Sequence, residues 1–216
     1  MKISGLKSSK PSFLIGIDEV GRGPIAGPVA VGAFCISADK LAQVRKIFRG
    51  VKESKQLSER KREEWFGIIN KAQKDGYVDY AVTFQSEKII DTKGLSYAIR
   101  YSLKTSLIGV VGIAKAELDD LSLDRIQVLL DGGLKAPAEF INQKTIIKGD
   151  EKEMVIALAS ICAKVLRDRK MNKFSKKHPG YGFEKHKGYG TRGHYSAIKR
   201  HGILPIHRKS FLKTEN

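Results

Sequence analysis

The chain is poor in three features that often decide the class of a protein: cysteine, long apolar segments and acidic residues. Among its 216 residues are two cysteines, Cys35 and Cys162, both within apolar stretches. We expect them to be buried small side chains and not a disulfide framework or a metal knuckle. Apolar stretches such as Leu107–Ala114 are too short to span a bilayer, and Phe13–Ile17 is too short for a signal peptide. We therefore expect a reducing, cytoplasmic setting.

Acidic residues are outnumbered: 23 Asp and Glu accompany 40 Lys and Arg, and the formal net charge is +17. The imbalance is concentrated in residues 164–216, which carry 15 basic and 3 acidic residues. All five histidines lie in this segment, interleaved with Tyr181, Phe183, Tyr189 and Tyr195. Basic side chains with aromatic ones between them suit the phosphates, sugars and bases of nucleic acid. A solvated basic surface or a membrane-surface patch is the alternative.

The hydrophobic pattern predicts an α/β domain. The predicted strands are Phe13–Val20, Pro28–Ser37, Tyr77–Phe84, Arg125–Leu130 and Thr145–Ile147. The predicted helices are Lys40–Phe48, a helix from an N-cap at Ser58 to about Lys74, Ser86–Asp91, Leu95–Lys115, a helix from near Glu151 to about Lys176 and Gly193–His201, with a loop at Pro179–Gly190. In the helix that ends near Lys176, Met154, Leu158, Ile161 and Val165 mark a single apolar stripe. A hairpin followed by alternating strands and helices favours a mixed central sheet with helices packed on it.

The predicted elements and the composition also indicate how the chain divides into three segments. We expect residues 1–12 to be a loose terminus and residues 13–178 to form the core of one domain. Residues 179–216 change in composition, because they are basic and rich in glycine and aromatic residues. We expect them to be an extension of the same domain.

Two adjacent carboxylates, Asp18 and Glu19, end the first predicted strand. Neighbouring strand residues point to opposite faces, so one of the two should face the covered side, where an isolated charge is costly. A bound divalent cation would offset that cost; ordinary strand-end carboxylates in water are the equally weighted alternative. Asp131 ends another apolar strand, and acids at the ends of neighbouring strands can meet at one edge of a sheet. The position of Asp131 therefore favours a cluster of carboxylates at one edge of the sheet over separate, solvated side chains.

Asp150 is a further candidate for this cluster. An Asp followed three residues later by Glu153 also resembles a helix capping box, and spacing alone gives the two roles equal weight. Clustered carboxylates without Cys or nearby His suit Mg²⁺ or Mn²⁺ better than zinc. Two such cations would bind a phosphate that bare carboxylates repel. The pattern favours a metal-dependent phosphodiesterase, with a basic nucleic-acid-binding protein without catalysis as the alternative.

The segment GRGPIAG, residues 21–27, joins the first two predicted strands. A dinucleotide-binding loop requires a helix directly after the glycines, whereas Pro24 and a valine-rich strand follow here, so that function is rejected. Gly21 and Gly23 instead allow a ligand to approach the backbone closely. A tight hairpin turn is the alternative.

Taken together, these residues resemble ribonuclease H type 2, or ribonuclease HII, of the bacterial and archaeal single-chain kind. The matching segments are GIDEVGRGPIAGPVAVGA (16–33), ESKQLSERKRE (53–63), LLDGG (129–133), KGD with ALASICAKVLRDR (148–150 and 157–169), HKGYGT (186–191) and GILPIHRKSF (202–211). Glu53 departs from the Asp that the family more often has before Ser-Lys. The related type 3 enzymes have an extra N-terminal domain and a different residue inside the Gly-x-Gly loop, so Arg22 and the short lead before the first strand favour type 2.

The resemblance implies the ribonuclease H-like fold, a mixed five-stranded sheet flanked by helices with a C-terminal helical extension. It implies an endoribonuclease that hydrolyses the RNA strand of RNA–DNA hybrids and cuts on the 5′ side of single ribonucleotides in duplex DNA. The implied cofactors are two divalent cations, Mn²⁺ or Mg²⁺, and the implied ends are 5′-phosphate and 3′-hydroxyl. A nuclease of the same fold with another substrate, such as branched DNA, is the alternative. We expect a monomer.

The resemblance also assigns site residues by matching position. The four metal-site carboxylates would be Asp18, Glu19, Asp131 and Asp150. Gly21, Arg22 and Gly23 would read the 2′-hydroxyl, the group that distinguishes RNA from DNA at one position. Tyr189 would pack on the deoxyribose after the ribonucleotide. Candidates for contacts with backbone phosphates are Ser54, Lys55, Ser160, Lys164 and His194.

Overall fold

The computed structural model describes residues 11–117 and 122–212, and one five-stranded sheet lies at its centre. The strands are β1 (Phe13–Val20), β2 (Val29–Ser37), β3 (Asp79–Gln85), β4 (Ile126–Asp131) and β5 (Gln143–Ile146). Strands β1, β2 and β3 pair antiparallel, whereas β4 pairs parallel with β1 and β5 pairs parallel with β4. The order β3-β2-β1-β4-β5 confirms the predicted mixed sheet and its initial hairpin.

The helices occupy most of the predicted positions. They are α1 (Leu41–Ile47), α2 (Glu59–Lys74), α3 (Glu87–Lys93), α4 (Leu95–Glu117), α5 (Gly149–Lys152), α6 (Met154–Lys177), α7 (Phe183–His186) and α8 (Arg192–His201). The predicted N-cap of α2 is confirmed, because the Ser58 hydroxyl accepts a hydrogen bond from the Lys61 N–H at 3.2 Å. The prediction of an unbroken loop at Pro179–Gly190 is wrong, because α7 forms a single turn there between two left-handed residues, Gly182 and Lys187.

Helices cover the sheet on both faces and create two apolar cores. On one face, Ile17 of β1 packs with Leu103 and Leu107 of α4. On the other face, Phe34 of β2 packs in the core that α2 and α6 complete. The start of α6 is buried on every side over residues 155–163, because it lies between the sheet and α2. The prediction that α6 buries only a single apolar stripe therefore underestimates how much of this helix is buried.

Two glycines bring α6 against the sheet. A Cβ atom at Gly16 would lie 2.3 Å from the Val155 carbonyl, and one at Gly32 would lie 2.5 Å from the Ala159 carbonyl oxygen. Neither position could hold a side chain without moving the backbone of α6. Asp18 lies two residues beyond Gly16 on β1, so its side chain points to the same face. The close approach of α6 therefore places Asp18 beneath this helix.

The C-terminal segment packs on the rest of the domain. Tyr181, Phe183 and Ile206 form a third apolar cluster with Met171 of α6 and Ala26 of the β1–β2 loop. Both cysteines are buried, as predicted. In the described ranges, no helix combines the length and the apolar character needed to cross a membrane.

Candidate active site

Three carboxylates meet at one edge of the sheet. Asp18 on β1 and Asp131 on β4 each follow the last residue pair of the parallel ladder between these strands. Asp150 comes from α5, where the neighbouring Gly149 N–H donates a hydrogen bond to Asp131 Oδ1 at 2.6 Å. One carboxylate oxygen from each acid lies within 4.8 Å of the other two. The structure therefore brings together three of the four acids in the predicted set.

Glu19 lies beside this cluster and is held by Arg22. Arg22 Nη1 donates a hydrogen bond to Glu19 Oε1 at 3.0 Å. The second oxygen, Oε2, is buried and has no hydrogen-bond partner within the described parts of the chain. Burial raises the pKa of Glu19, Arg22 opposes that shift, and the charge of Asp131 adds to it. A buried carboxylate oxygen without a donor is suited to a cation ligand.

Asp18 is the most strongly perturbed of the four acids. Burial raises its pKa to about 8, and a hydrogen bond from the Ser160 hydroxyl opposes the shift. The charges of Glu19, Asp131 and Asp150 raise the pKa further. The chain alone therefore keeps Asp18 protonated at neutral pH. A divalent cation would reverse this balance by favouring the ionised carboxylate.

The donor chemistry fits a hard divalent cation. The clustered groups offer oxygen only, which suits Mg²⁺ or Mn²⁺ and not zinc. The competing role for Asp150 as a helix cap is wrong, because α6 starts at Met154, the N-cap residue is Glu153, and no side chain caps it. Asp150 is instead buried within α5 beside Asp131. Its carboxylate is therefore available to a metal.

Two of the predicted phosphate contacts lie inside the protein. Ser54 and Ser160 are almost fully buried, and their hydroxyl oxygens are 2.7 Å apart. The two hydroxyls form a hydrogen bond with each other, and either can be its donor. This placement argues against direct phosphate contacts by either serine. The pair instead supports the Asp18 carboxylate from within the core.

The two predicted lysine contacts differ in their surroundings. The side chain of Lys55 is 77% exposed, and its Nζ lies 3.3 Å from Glu53 Oε1 and 3.4 Å from Asp150 Oδ2. Burial lowers the pKa of Lys55, but the charges of Asp150 and Glu53 outweigh it and raise the pKa overall. Lys164 is largely buried and donates to Asp168 at 2.8 Å. Lys55 is thus placed to meet a phosphate, whereas the placement of Lys164 argues against that role.

The predicted ribose-reading residues lie next to the acid cluster. Gly21, Arg22 and Gly23 follow β1 directly, and a Cβ atom at Gly23 would lie 3.7 Å from Tyr189 Cε1. The side chain of Arg22 is 57% exposed, and Tyr189 as a whole residue is 44% exposed. The structure thus brings the Gly-Arg-Gly loop and Tyr189 together on an accessible surface. His194 is fully buried behind Tyr189 and donates to its carbonyl oxygen, which argues against the predicted phosphate contact.

A buried arginine outside the predicted site residues, Arg208, supports the Gly-Arg-Gly loop. The guanidinium of Arg208 donates to the carbonyl oxygens of Gly21 at 2.7 Å, Arg22 at 3.0 Å and Gly27 at 2.9 Å. Burial lowers the pKa of Arg208 to about 10, and the charge of Arg167 adds to that effect. Arg208 still carries its charge at neutral pH. Its three bonds fix the path of the loop backbone.

Arg167 of α6 also donates to three backbone carbonyl oxygens, two of them in the β1–β2 loop. It is fully buried and donates to the carbonyl oxygens of Pro28 at 2.9 Å, Lys187 at 3.1 Å and Ala26 at 3.4 Å. It therefore links the β1–β2 loop to the segment that carries Tyr189. Both arginines lie within the matched motifs, but nothing in a basic segment distinguishes a buried arginine from a surface one.

Comparisons with known proteins agree with these features. The family model described as Ribonuclease HII matches residues 15–214. The chain is 41% identical over 196 residues to a ribonuclease HII of Endomicrobium trichonymphae, covering 91% of this chain and 83% of that protein. It is 40% identical over 201 residues to one of Clostridioides difficile (strain 630), covering 93% and 70%. The crystal structure of ribonuclease H2 from Pyrococcus horikoshii OT3 is similar, with a TM-score of 0.62, 27% identity and coverage of 92% and 93%.

The family match extends over all six motifs that carry the acid cluster and the loops beside it. The similarity to a solved ribonuclease H2 confirms the ribonuclease H-like fold predicted from the sequence. Members of this family are metal-dependent endoribonucleases that act on RNA–DNA hybrids. On this evidence the chain belongs to the ribonuclease HII family and is an enzyme of that kind.

Proposed function

We propose that this enzyme cuts the RNA strand of RNA–DNA hybrids and also cuts on the 5′ side of a single ribonucleotide in duplex DNA. The products carry 5′-phosphate and 3′-hydroxyl ends. The main supporting observation is that the acid cluster adjoins the surface where Gly23 meets Tyr189. Selection of one ribose requires a reader of the 2′-hydroxyl beside the reactive centre.

In this proposal four carboxylates hold two divalent cations, Mn²⁺ or Mg²⁺. The four are Asp18, Glu19, Asp131 and Asp150. Bound cations would neutralise the scissile phosphate and favour ionisation of the attacking water. The chain itself orients the carboxylates: the Glu19 N–H donates to Asp18 Oδ1 at 2.7 Å, and the Gly149 N–H donates to Asp131 Oδ1 at 2.6 Å.

The remaining residues position the substrate. The loop of Gly21, Arg22 and Gly23 presents backbone groups to the 2′-hydroxyl, and its glycines let the sugar approach closely. Tyr189 packs its ring on the deoxyribose that follows the ribonucleotide. Lys55 contacts a backbone phosphate beside the acid cluster. All of these groups come from one chain, so the site needs no residue from a second copy, and we expect the enzyme to act as a monomer.

Three duplexes of one sequence test the proposal: one with a single ribonucleotide, one with a complete RNA strand and one of DNA only. With Mn²⁺ or Mg²⁺, we expect one cut 5′ of the single ribonucleotide and many cuts in the hybrid. Cleavage of the DNA duplex should be at least about 10³-fold slower, because it lacks the 2′-hydroxyl that the loop reads. Gel mobility before and after phosphatase treatment identifies the ends. Equal cleavage of the single-ribonucleotide and DNA duplexes would contradict the proposed reading of ribose.

A further inference from the structure

The segment after α8 contacts both loops of the proposed substrate surface. We propose that His207 and Arg208 are positioning residues that together fix Tyr189 and the Gly-Arg-Gly loop relative to each other. This inference rests on the proposed function of those two loops. His207 acts on Tyr189 through His194, whereas Arg208 acts on the loop backbone directly.

Backbone hydrogen bonds already join the three segments. The Ile25 N–H donates to the Gly188 carbonyl oxygen at 2.9 Å, which ties the β1–β2 loop to the residue before Tyr189. The Arg208 N–H donates to the Ile25 carbonyl oxygen at 2.8 Å. Ile25 therefore lies between the tyrosine segment and the C-terminal segment. The Gly27 N–H also donates to the Ile206 carbonyl oxygen at 2.8 Å, so several bonds of the β1–β2 loop couple the two segments.

The histidine chain has a defined direction. The Leu204 N–H donates to His207 Nδ1 at 2.8 Å, closer than the Leu204 carbonyl oxygen at 3.1 Å, so His207 carries its proton on Nε2. His207 Nε2 lies 3.1 Å from His194 Nε2, which must accept. His194 therefore carries its proton on Nδ1 and donates to the Tyr189 carbonyl oxygen at 2.9 Å. The two rings hold opposite neutral tautomers.

Burial keeps this chain neutral. His194 and His207 are almost completely inaccessible to solvent. Burial lowers the pKa of His194 to about 4 and also lowers the pKa of His207. A second proton on either ring would place two N–H groups against each other or against Leu204. At neutral pH each ring therefore has one donor and one acceptor in fixed places.

Arg208 extends the same support to the other loop. Its side chain donates hydrogen bonds to the carbonyl oxygens of Gly21 and Arg22. Arg208 directly follows His207 in the chain. Both proposed substrate loops are thus attached to two consecutive residues. Misplacement by about 1 Å at a reactive centre can lower the rate about 100-fold, so a support of this kind affects turnover.

The first experiment is nitrogen-15 NMR of the histidine rings in the full chain at neutral pH, without substrate. We expect His194 as the Nδ1–H tautomer and His207 as the Nε2–H tautomer. In the His207→Asn variant, the amide oxygen can still accept from Leu204, but no group reaches His194, so His194 should lose its single-tautomer spectrum. His201→Asn, an exposed histidine outside the chain of bonds, is the control. An Nε2–H tautomer at His194 in the wild type would overturn the proposal.

The second experiment measures kcat and KM on the single-ribonucleotide duplex. We expect His207→Asn and Arg208→Met to lower kcat by about 10- to 100-fold with a smaller change in KM, and Arg208→Lys to recover part of the loss. His201→Asn and Lys209→Met, the latter with the same loss of charge at an exposed site, should stay within twofold of wild type. Thermal melting checks that each variant is folded. Folded variants with unchanged kcat would overturn the inference, whereas a wild type inactive on this duplex would instead contradict the proposed function.

Discussion

The Asp18→Asn variant is expected to lose cleavage by roughly 10³-fold and yet to be more stable than the wild type without metal. The loss follows because a neutral amide cannot replace the charge with which Asp18 would bind a cation beside the scissile phosphate. The gain follows because Asp18 is buried among three other acids. Single-turnover cleavage and thermal melting in EDTA measure the two effects.

The stability gain has a definite dependence on pH. The pKa of Asp18 is about 8 in the folded chain and 3.8 ordinarily, so between these values the unfolded chain releases a proton that the folded chain retains. Stability from this group is therefore full at low pH and falls as pH rises from about 4 to about 8. The difference corresponds to roughly 4 kcal/mol at pH 7, or a melting temperature roughly 10 °C higher for Asp18→Asn.

The control for Asp18→Asn is Asp75→Asn, which makes the same chemical change at an exposed helix end. It should leave cleavage unchanged and shift the melting temperature by about 1 °C at most. Adding Mn²⁺ should stabilise the wild type more than Asp18→Asn. An Asp18→Asn protein that melts below the wild type in EDTA at pH 8 would show that burial of this acid does not destabilise the fold.

The Gly21→Ala variant is expected to lower cleavage of the single-ribonucleotide duplex by about 100-fold or more. Gly21 has φ +94°, and a Cβ atom there would lie 2.3 Å from Arg167 Nε and 2.9 Å from the Pro28 carbonyl oxygen. Arg167 cannot move aside cheaply, because its guanidinium is buried and bonded to three carbonyls. The loop must therefore shift, and with it the position of Arg22.

Gly50 provides a matched control for this substitution. Its φ is +83°, close to that of Gly21, but a Cβ atom there would meet nothing within 4 Å. Gly50→Ala should therefore cost about 1 kcal/mol of stability through backbone strain alone and leave cleavage unchanged. Kinetics of both variants at a temperature well below their melting points separate loop position from stability. Cleavage by Gly21→Ala equal to that by Gly50→Ala would contradict the role of loop geometry.

Features with a local cause were predictable from the sequence. The hairpin of β1 and β2 follows from two apolar runs around a glycine-rich turn, and the cap at Ser58 follows from its place before a helical pattern. Asp18 and Asp131 were predictable as neighbours because both end buried strands of the same sheet. The family motifs then identified Asp150, for which spacing alone left a cap and a ligand equally weighted.

Features that depend on tertiary packing were not predictable. Ser54 and Ser160 have small polar side chains typical of a surface, but the close approach of α6 places them in the core behind Asp18. Arg167 and Arg208 lie in the most basic part of the chain, where a solvated position is the natural expectation. Their burial depends on carbonyl groups from a loop more than a hundred residues away. Sequence motifs marked these residues without indicating what they contact.

The most direct test of the central claim is cleavage of the single-ribonucleotide duplex while Mn²⁺ is titrated against EDTA, with wild type and Asp131→Asn in parallel. We expect no cleavage in EDTA, a rise with Mn²⁺ to one cut on the 5′ side of the ribonucleotide, and a rate roughly 10³-fold lower for Asp131→Asn throughout. Cleavage that persists in EDTA, or an Asp131→Asn protein that cuts as well as the wild type, would contradict the assignment of the acid cluster as the metal-dependent reaction centre.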